Sequence, residues 1–200
     1  MLDRCRIASK HAKYQAVNPV SSRLVLGFLR TVERFVVPLG VGSVLDVGCG
    51  EGVVLKSLEK HLQRSTCVAI DLDPVEAADA ARNLPGCHIQ VSSAYELPFR
   101  GASFELVMCC EVLEHVDDPE RALKELTRVA SKHVLLSVPR EPLWRALNVV
   151  RGAYLRDWGN TPGHINHWTA ASFERFVGSE LEVLKRAAPP PWTVLLGRKR

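Results

Sequence analysis

The stretch SVLDVGCGEG at residues 43–52 decides the fold. A short apolar run, 43–47, carries Asp46 near its end and passes through Gly48, Gly50 and Gly52 into a helical pattern. Glycine lets a backbone turn tightly and approach a ligand closely. The stretch therefore predicts a strand, a tight turn and a helix, with a ligand bound at the turn.

A second acid supports a ligand at this turn. Asp71 closes the next strand-like run 21 residues after Gly50, the spacing at which a neighbouring strand delivers a carboxylate to a ribose. A dinucleotide-binding turn reads GxGxxG, so that a helix N-terminus faces the pyrophosphate. This turn reads GxGxG and follows Asp46, which would repel phosphate. The pattern disfavours a nicotinamide dehydrogenase and favours a ligand with a cationic end, such as S-adenosylmethionine (SAM).

Strand-like runs alternate with helical patterns along the chain, which predicts βαβ units and a largely parallel α/β sheet. Two further runs, joined through 189–191, predict a closing hairpin. The predicted strands are 43–47, 67–71, 87–91, 104–110, 133–138, 181–184 and 193–196.

Helix starts follow from capping chemistry. Ser21 or Ser22 is expected to cap a first helix that ends before Pro38. A second helix has its apolar face at Val54, Leu55, Leu58 and Leu62. Later helices are expected after Asp73, Asp118 and Thr169, with Pro74 in the first turn and Glu76 as a capping-box acid.

Size and composition favour one domain over 1–200, because 46% of 200 residues are hydrophobic. We expect an N-terminal helical cap at 1–40 and a substrate-side lid at 139–168, a long connection with three of the four tryptophans. Six cysteines without a CxxC pair, and no membrane-length apolar run, predict an unprocessed, soluble, cytoplasmic protein. The net charge of +4 is mild, but basic residues near both ends leave a nucleic-acid acceptor open.

Four ordered motifs carry a family resemblance: VLDVGCGEG (44–52), AIDLDP (69–74), SSAYELPF (92–99) and SFELVMCCEVLEHVDDPERAL (103–123). Over residues 40–140 the chain resembles the class I SAM-dependent methyltransferases, specifically the type 11, ubiquinone-biosynthesis-like branch. The resemblance implies a Rossmann-like, seven-stranded sandwich, mostly parallel with an antiparallel last strand. It also implies SAM as cofactor and methylation of a small or medium-sized acceptor at O, N or C.

The same resemblance assigns cofactor contacts along the motifs. The methionine part would lie against 46–50, the ribose against Asp71, the adenine against Leu72 and 93–95, and the sulfonium near Cys110 and Glu111. An N-terminal residue, Tyr14, would cover the cofactor. The family usually has an acid at the position of Ser93. The complete expected set is Asp46, Val47, Gly48, Cys49, Gly50, Asp71, Leu72, Ser93, Ala94, Tyr95, Cys110, Glu111 and Tyr14.

Methyl transfer mainly requires alignment of the nucleophile with the methyl group, although a hydroxyl acceptor also benefits from a base or a metal. Glu111, Glu114 and His115 would share one face of a helical turn. This pattern resembles the magnesium-binding element of some ubiquinone-pathway and small-RNA methyltransferases, with His164 or His167 completing it. No metal is expected here, because magnesium prefers oxygen ligands, although these residues keep one possible.

His164, His167 and Glu111 are the candidate catalytic residues, since a neutral imidazole can take a hydroxyl proton near pH 7. The loop that carries both histidines, 159–168, would contact a polar acceptor. The alternative is a rigid lid whose Asn and His side chains bind its own backbone. An RNA acceptor, or a degenerate SAM-binding partner subunit, is also compatible with the sequence.

Overall fold

The computed structural model describes residues 19–200. Its single sheet has the order β3-β2-β1-β4-β5-β7-β6. Strand pairs from β3 to β5 are parallel, whereas β7 is antiparallel to both β5 and β6. This confirms a seven-stranded, mostly parallel α/β sheet with an antiparallel last strand. The strands are β1 Ser43–Val47, β2 Thr66–Asp71, β3 His88–Val91, β4 Phe104–Cys110, β5 Ala130–Pro139, β6 Leu181–Ala187 and β7 Trp192–Lys199.

Residues 19–200 contain six α-helices: α1 Pro19–Val36, α2 Val53–Leu58, α3 Pro74–Asn83, α4 Pro119–Val129, α5 Leu143–Val150 and α6 Ala170–Val177. Asp73, Asp118 and Thr169 accept backbone hydrogen bonds as N-caps, as predicted. The cap predicted for α1 is wrong, because Ser21 and Ser22 lie inside the helix.

Helices cover both faces of the sheet and form two apolar cores. Helices α1, α2 and α3 pack on one face, with Phe28, Leu55 and Ala80 among the buried side chains. Helices α4 and α6 pack on the other, where Leu126 and Phe173 are buried. The chain reverses direction across the sheet at β1, which lies between β2 and β4. In doubly wound sheets, ligands bind outside the carboxyl ends of the strands at such a point.

The segment 139–168 is ordered and built around α5. Its ends join the sheet where Arg140 N donates to Pro191 O and Glu141 N donates to Trp168 O. Helix α5 buries Trp144 and Asn148 four residues apart. Sequence periodicity missed this helix because its buried face mixes an aromatic with an amide. Whether the segment acts as a lid remains a prediction.

Two further expectations concern the N-terminal region and membranes. Tyr14 and the first part of the cap predicted at 1–40 lie outside the described residues. Within residues 19–200, no helix combines the length and the apolar character needed to cross a bilayer.

Candidate active site

The glycine turn after β1 is held by its own backbone amides. Gly48 N and Cys49 N both donate to Ile70 O, at 2.8 and 2.9 Å, and Gly50 N donates to Asp71 Oδ2 at 2.7 Å. All three N–H groups thus have protein acceptors, whereas a phosphate-binding turn points such groups at its ligand. The geometry therefore does not suit a pyrophosphate.

Gly48 has a steric reason to be glycine. Its φ is +71°, and a Cβ there would lie 2.3 Å from Val112 Cγ2. Val112 follows β4, so the β1 turn packs directly on the segment that continues toward Glu114 and His115.

Asp46 is a buried carboxylate at this turn. It is 1% exposed, and its Oδ2 has no hydrogen-bond partner among the residues described. Burial, and secondarily the charge of Asp71, raises the pKa of Asp46 to about 7. An unpaired buried carboxylate is costly unless a cation meets it, and the amino-acid end of SAM supplies one. The recess beside it is lined by Asp46, Gly48, Cys49, Gly50, Glu51, Val53, Val54, Glu76, Cys110 and Glu111.

A larger cavity of about 650 Å³ opens next to the recess. Asp71, Leu72, Ser93, Ala94, Tyr95 and Val47 line it, together with Gly48, Asp73, Pro74, Ser92, Val112, His115, Val116, Asp117 and Ile165. Its size and apolar lining suit the adenosine part of SAM. The structure thus brings the residues predicted for ribose and adenine to one cavity, adjoining the recess predicted for methionine.

The side chains of Ser93 and Tyr95 form hydrogen bonds within the cavity wall. Ser93 Oγ accepts from Tyr95 N at 3.2 Å. The Tyr95 hydroxyl donates to Asp117 and accepts from Asp118 N at 3.1 Å. Ser93 therefore fixes the loop in addition to lining the cavity.

Glu111 lies apart from Glu114 and His115. Its φ is +61°, and its buried carboxylate accepts from Ser137 Oγ at 3.0 Å and from Trp192 Nε1 at 2.7 Å. Only 113–115 form a helical turn, of the 3₁₀ type. The expected helical face shared by all three residues is therefore not formed, because Glu111 precedes the turn in a left-handed conformation.

Trp192 was missed by sequence reasoning. It starts β7, far along the chain from the four motifs, and its ring packs 5.0 Å from that of Phe28 and 6.0 Å from that of Trp144. The one sequence signal for Trp192 was its position directly after three prolines.

A compact polar cluster lies beside the larger cavity, whose lining includes His115. Ligand atoms of Glu114, His115 and His164 lie within 4.8 Å of one another. His115 Nδ1 is 2.9 Å from Gly163 O, and the ring of His164 stacks on Trp144 at 5.7 Å. One carboxylate and two imidazoles fit a borderline ion such as Zn²⁺ better than the hard ion Mg²⁺. Glu111 is not part of this cluster.

The two candidate histidines have different surroundings. His164 is 4% exposed and sits in the cluster, whereas His167 is exposed, with Nδ1 3.6 Å from Glu141 Oε1. The loop asparagines brace backbone: Asn166 Nδ2 donates to the carbonyls of residues 113 and 116, and Asn160 Nδ2 donates to His164 O. The loop 159–168 thus carries both asparagines that brace the backbone and His164 of the cluster.

Glu76 and the buried cysteines complete the recess. Glu76 was expected only as a capping acid, but it is buried in the wall, 3.7 Å from where a Cβ on Gly50 would lie. Its place in the first turn of α3, directly after Asp71, was the available signal. Burial raises the pKa of the Cys49 and Cys110 thiols, so both are packing groups at neutral pH.

Comparisons with known proteins agree with this geometry. The "Methyltransferase domain" family model matches residues 45–138. The ubiquinone biosynthesis O-methyltransferase of Xanthomonas axonopodis pv. citri (strain 306) is 32% identical over 192 residues, which cover 88% of this chain and 75% of that protein.

Two solved structures share the fold. The PH0226 protein of Pyrococcus horikoshii OT3 matches with a TM-score of 0.72 at 16% identity, covering 94% of this chain and 95% of its own. Magnesium protoporphyrin IX methyltransferase of Synechocystis PCC 6803, with bound SAH, matches with a TM-score of 0.68 at 18% identity, covering 92% and 89%.

The length of the match differs among the curated relatives. The chain spans only 32%, 35% and 42% of three of them. It spans most of the Xanthomonas protein, and the match there extends well beyond the motifs. Together with the site geometry, this shows that the chain belongs to the class I SAM-dependent methyltransferases, a family whose cofactor is SAM.

Proposed function

We propose that this protein transfers the methyl group of SAM to a hydroxyl oxygen of a small-molecule acceptor. The observation that carries the proposal is Asp46, a buried carboxylate with an unpaired oxygen beside a turn whose amides are already bonded. That combination suits a cationic amino-acid end and not a phosphate. The oxygen acceptor is supported by the O-methyltransferase activity named for the Xanthomonas relative.

The cofactor roles follow from the two adjoining spaces. Asp46 binds the α-amino group, and Glu111 lines the same recess. Asp71 accepts from the ribose hydroxyls while its two oxygens also accept from Gly50 N and Asp73 N. The adenine lies along Leu72 and the 93–95 loop.

The reaction is an in-line displacement. A lone pair of the acceptor oxygen attacks the methyl carbon, the carbon–sulfur bond breaks, and its electrons return to sulfur, leaving S-adenosylhomocysteine. The acceptor hydroxyl loses its proton in this displacement. The protein contributes alignment within about 3 to 3.5 Å and exclusion of water.

His164 takes the hydroxyl proton in this proposal. Its ring is fixed between Trp144 and His115, and a positioned imidazole contributes about 10²- to 10⁴-fold to such a step. Alternatively, Glu114, His115 and His164 would hold a divalent ion, in which case the His164 nitrogen would serve as a ligand and not as the base. Such an ion would supply Lewis acidity that lowers the pKa of the hydroxyl.

Calorimetric titration with SAM and with S-adenosylhomocysteine tests the cofactor, with NADH as a competitor. We expect both adenosyl compounds to bind and NADH not to displace them. Release of S-adenosylhomocysteine is then measured over matched phenols, amines and activated carbon acids. Turnover of phenols alone supports oxygen transfer, whereas binding without turnover on any acceptor would identify a degenerate partner subunit.

Separate histidine variants test the acceptor side. We expect His164→Ala to lower kcat by about 100-fold or more, with unchanged SAM affinity, because His164 touches the acceptor and not the cofactor. His167→Ala is the matched control, since that ring pairs with Glu141 outside the cluster. Equal loss in both variants would contradict the assignment of His164.

Metal binding is measured apart from activity. Equilibrium dialysis with Zn²⁺, Mn²⁺ and Mg²⁺ is compared for the wild type, Glu114→Gln and His167→Ala. Retention of Zn²⁺ or Mn²⁺ that Glu114→Gln alone abolishes would support an ion at the cluster. No retention of any ion would leave proton transfer to His164 alone.

A further inference from the structure

The segment 149–158, at the end of α5, presents apolar side chains to solvent. Among its residues, Val150 is 83% exposed and Trp158 is 80% exposed. Val149, Tyr154 and Leu155 are exposed as well. Exposed apolar residues grouped in one short segment mark a candidate interaction site.

The backbone holds these side chains outward. Tyr154 and Trp158 have φ angles of +54° and +51°, values that bulky residues rarely adopt. Contacts at the base maintain this conformation: Arg145 Nε donates to Trp158 O at 3.0 Å, and buried Asn148 Nδ2 donates to Gly159 O at 2.8 Å. A strained conformation that persists in this way is typical of functional segments.

The charge of the segment limits what can cover it. Arg151 and Arg156 are exposed, Arg151 lies over the Tyr154 ring at 6.0 Å, and Asp157 is the one acid between 149 and 158. An anionic partner is therefore favoured. Arginine and aromatic side chains together suit a surface that is anionic outside and apolar beneath.

Two possible occupants, residues 1–18 and a second copy of the chain, carry the same sign of charge as the segment. Residues 1–18 carry Arg4, Arg6, Lys10 and Lys13 against Asp3, the same sign as the segment. A second copy packed through the same segment would bring its arginines against Arg151 and Arg156. Nucleic acid would match the charge but would leave aliphatic Val150 and Leu155 without a contact of their own kind.

We infer that segment 149–158 docks on the surface of an anionic lipid bilayer. Val150, Leu155 and Trp158 enter the boundary between headgroups and acyl chains, and the arginines meet lipid phosphates. Helix α5 carries Trp144, which stacks on His164, so docking brings the acceptor side of the site to the lipid. That last consequence rests on the proposed function, whereas docking itself does not.

Vesicle co-sedimentation of the full chain tests the inference without SAM or turnover. Vesicles of phosphatidylglycerol and phosphatidylcholine are compared with vesicles of phosphatidylcholine alone. The variant Trp158→Asn/Leu155→Gln removes the apolar anchors, and asparagine tolerates the left-handed backbone at 158. Arg151→Gln/Arg156→Gln removes the charge. Leu184→Ser is the matched control, because Leu184 is a 40% exposed apolar residue on β6.

We expect the wild type to bind anionic vesicles about tenfold more tightly than neutral ones. Both double variants should lose about tenfold in that binding, and Leu184→Ser should stay within about twofold. SAM affinity, measured separately by calorimetry, should be the same in every variant. Absence of wild-type binding to anionic vesicles, or equal binding by the Trp158/Leu155 variant, would overturn docking. So would a dimer in sedimentation velocity that the same variant dissociates.

Discussion

Single residues decide which ligand the β1 turn accepts, and Asp46 shows how. Its folded pKa of about 7 lies above the ordinary value of 3.8 because the carboxyl is buried. The empty protein thus keeps the Asp46 proton until the pH approaches 7. A cationic ligand needs the ionised form, so binding must expel that proton at lower pH.

We therefore expect SAM affinity to rise about tenfold per pH unit below pH 7 and to level off above it. Calorimetry in buffers of different ionisation enthalpy should show proton release at pH 6. Asp46→Asn should bind weakly and lose this part of the pH dependence. An unchanged pH profile in Asp46→Asn would mean that another group titrates.

Rising pH has the opposite effect on the stability of the fold without SAM. A carboxyl whose folded pKa is raised destabilises the empty fold as the pH rises from 3.8 through about 7. Asp46→Asn should consequently be more stable than the wild type at pH 8, with a smaller difference at pH 4. Urea unfolding at both values measures this, and a larger advantage at pH 4 would refute the assignment.

Asp71 has a structural task as well as a ligand. Because its oxygens accept from Gly50 N and Asp73 N, Asp71→Ala should weaken SAM binding severely and also lower the free energy of unfolding by about 1–3 kcal/mol. Calorimetry and urea unfolding measure the two effects. Full stability in Asp71→Ala would show that these hydrogen bonds contribute little.

At the scale of elements, local sequence chemistry correctly predicts where some strands and helices begin and end. Strands β1 and β4 have the predicted bounds, because each is a continuous apolar run that ends in a glycine turn or a charged segment. The Thr169 cap of α6 was predicted as well, and Ser172 completes it as a capping box. Helix α5 was missed because Trp144 and Asn148 share its buried face.

The α6 cap gives an element-scale prediction. Thr169→Ala should lower stability by about 0.5–2 kcal/mol while leaving SAM affinity unchanged, since α6 packs on the sheet face away from α1 to α3. Ser179→Ala is the control. Ser179 lies just after the helix, and its exposed hydroxyl donates to Phe176 O. A loss of SAM affinity in Thr169→Ala would connect α6 to the cofactor.

At the scale of the whole molecule, contacts distant in sequence complete the site, and these were beyond prediction. The motifs predicted residues that line the two adjoining spaces, because these residues lie on neighbouring strand ends. Glu111 was expected beside Glu114, yet its carboxylate is bound by Ser137 and Trp192, from β5 and β7. No local pattern encodes a partner 81 residues away.

Trp192 tests this long-range connection. Trp192→Phe keeps an aromatic ring but removes the N–H bond to Glu111, so stability should fall by about 1–3 kcal/mol and SAM affinity should fall with it. Trp168→Phe is the control, since Trp168 packs on Phe173 and Phe176. Thermal unfolding and calorimetry distinguish the two, and unchanged SAM affinity in Trp192→Phe would show that Glu111 keeps its position without this bond.

The position of β7 between β5 and β6 also has a consequence for biosynthesis. Residues 192–199 leave the ribosome after every other strand, yet they fill the interior of the sheet. Until then β5 presents an open edge, a known hazard for association between nascent chains. Glu111 also lacks Trp192 during that interval. A nascent chain can therefore complete the recess around Glu111 only after β7 has joined the sheet.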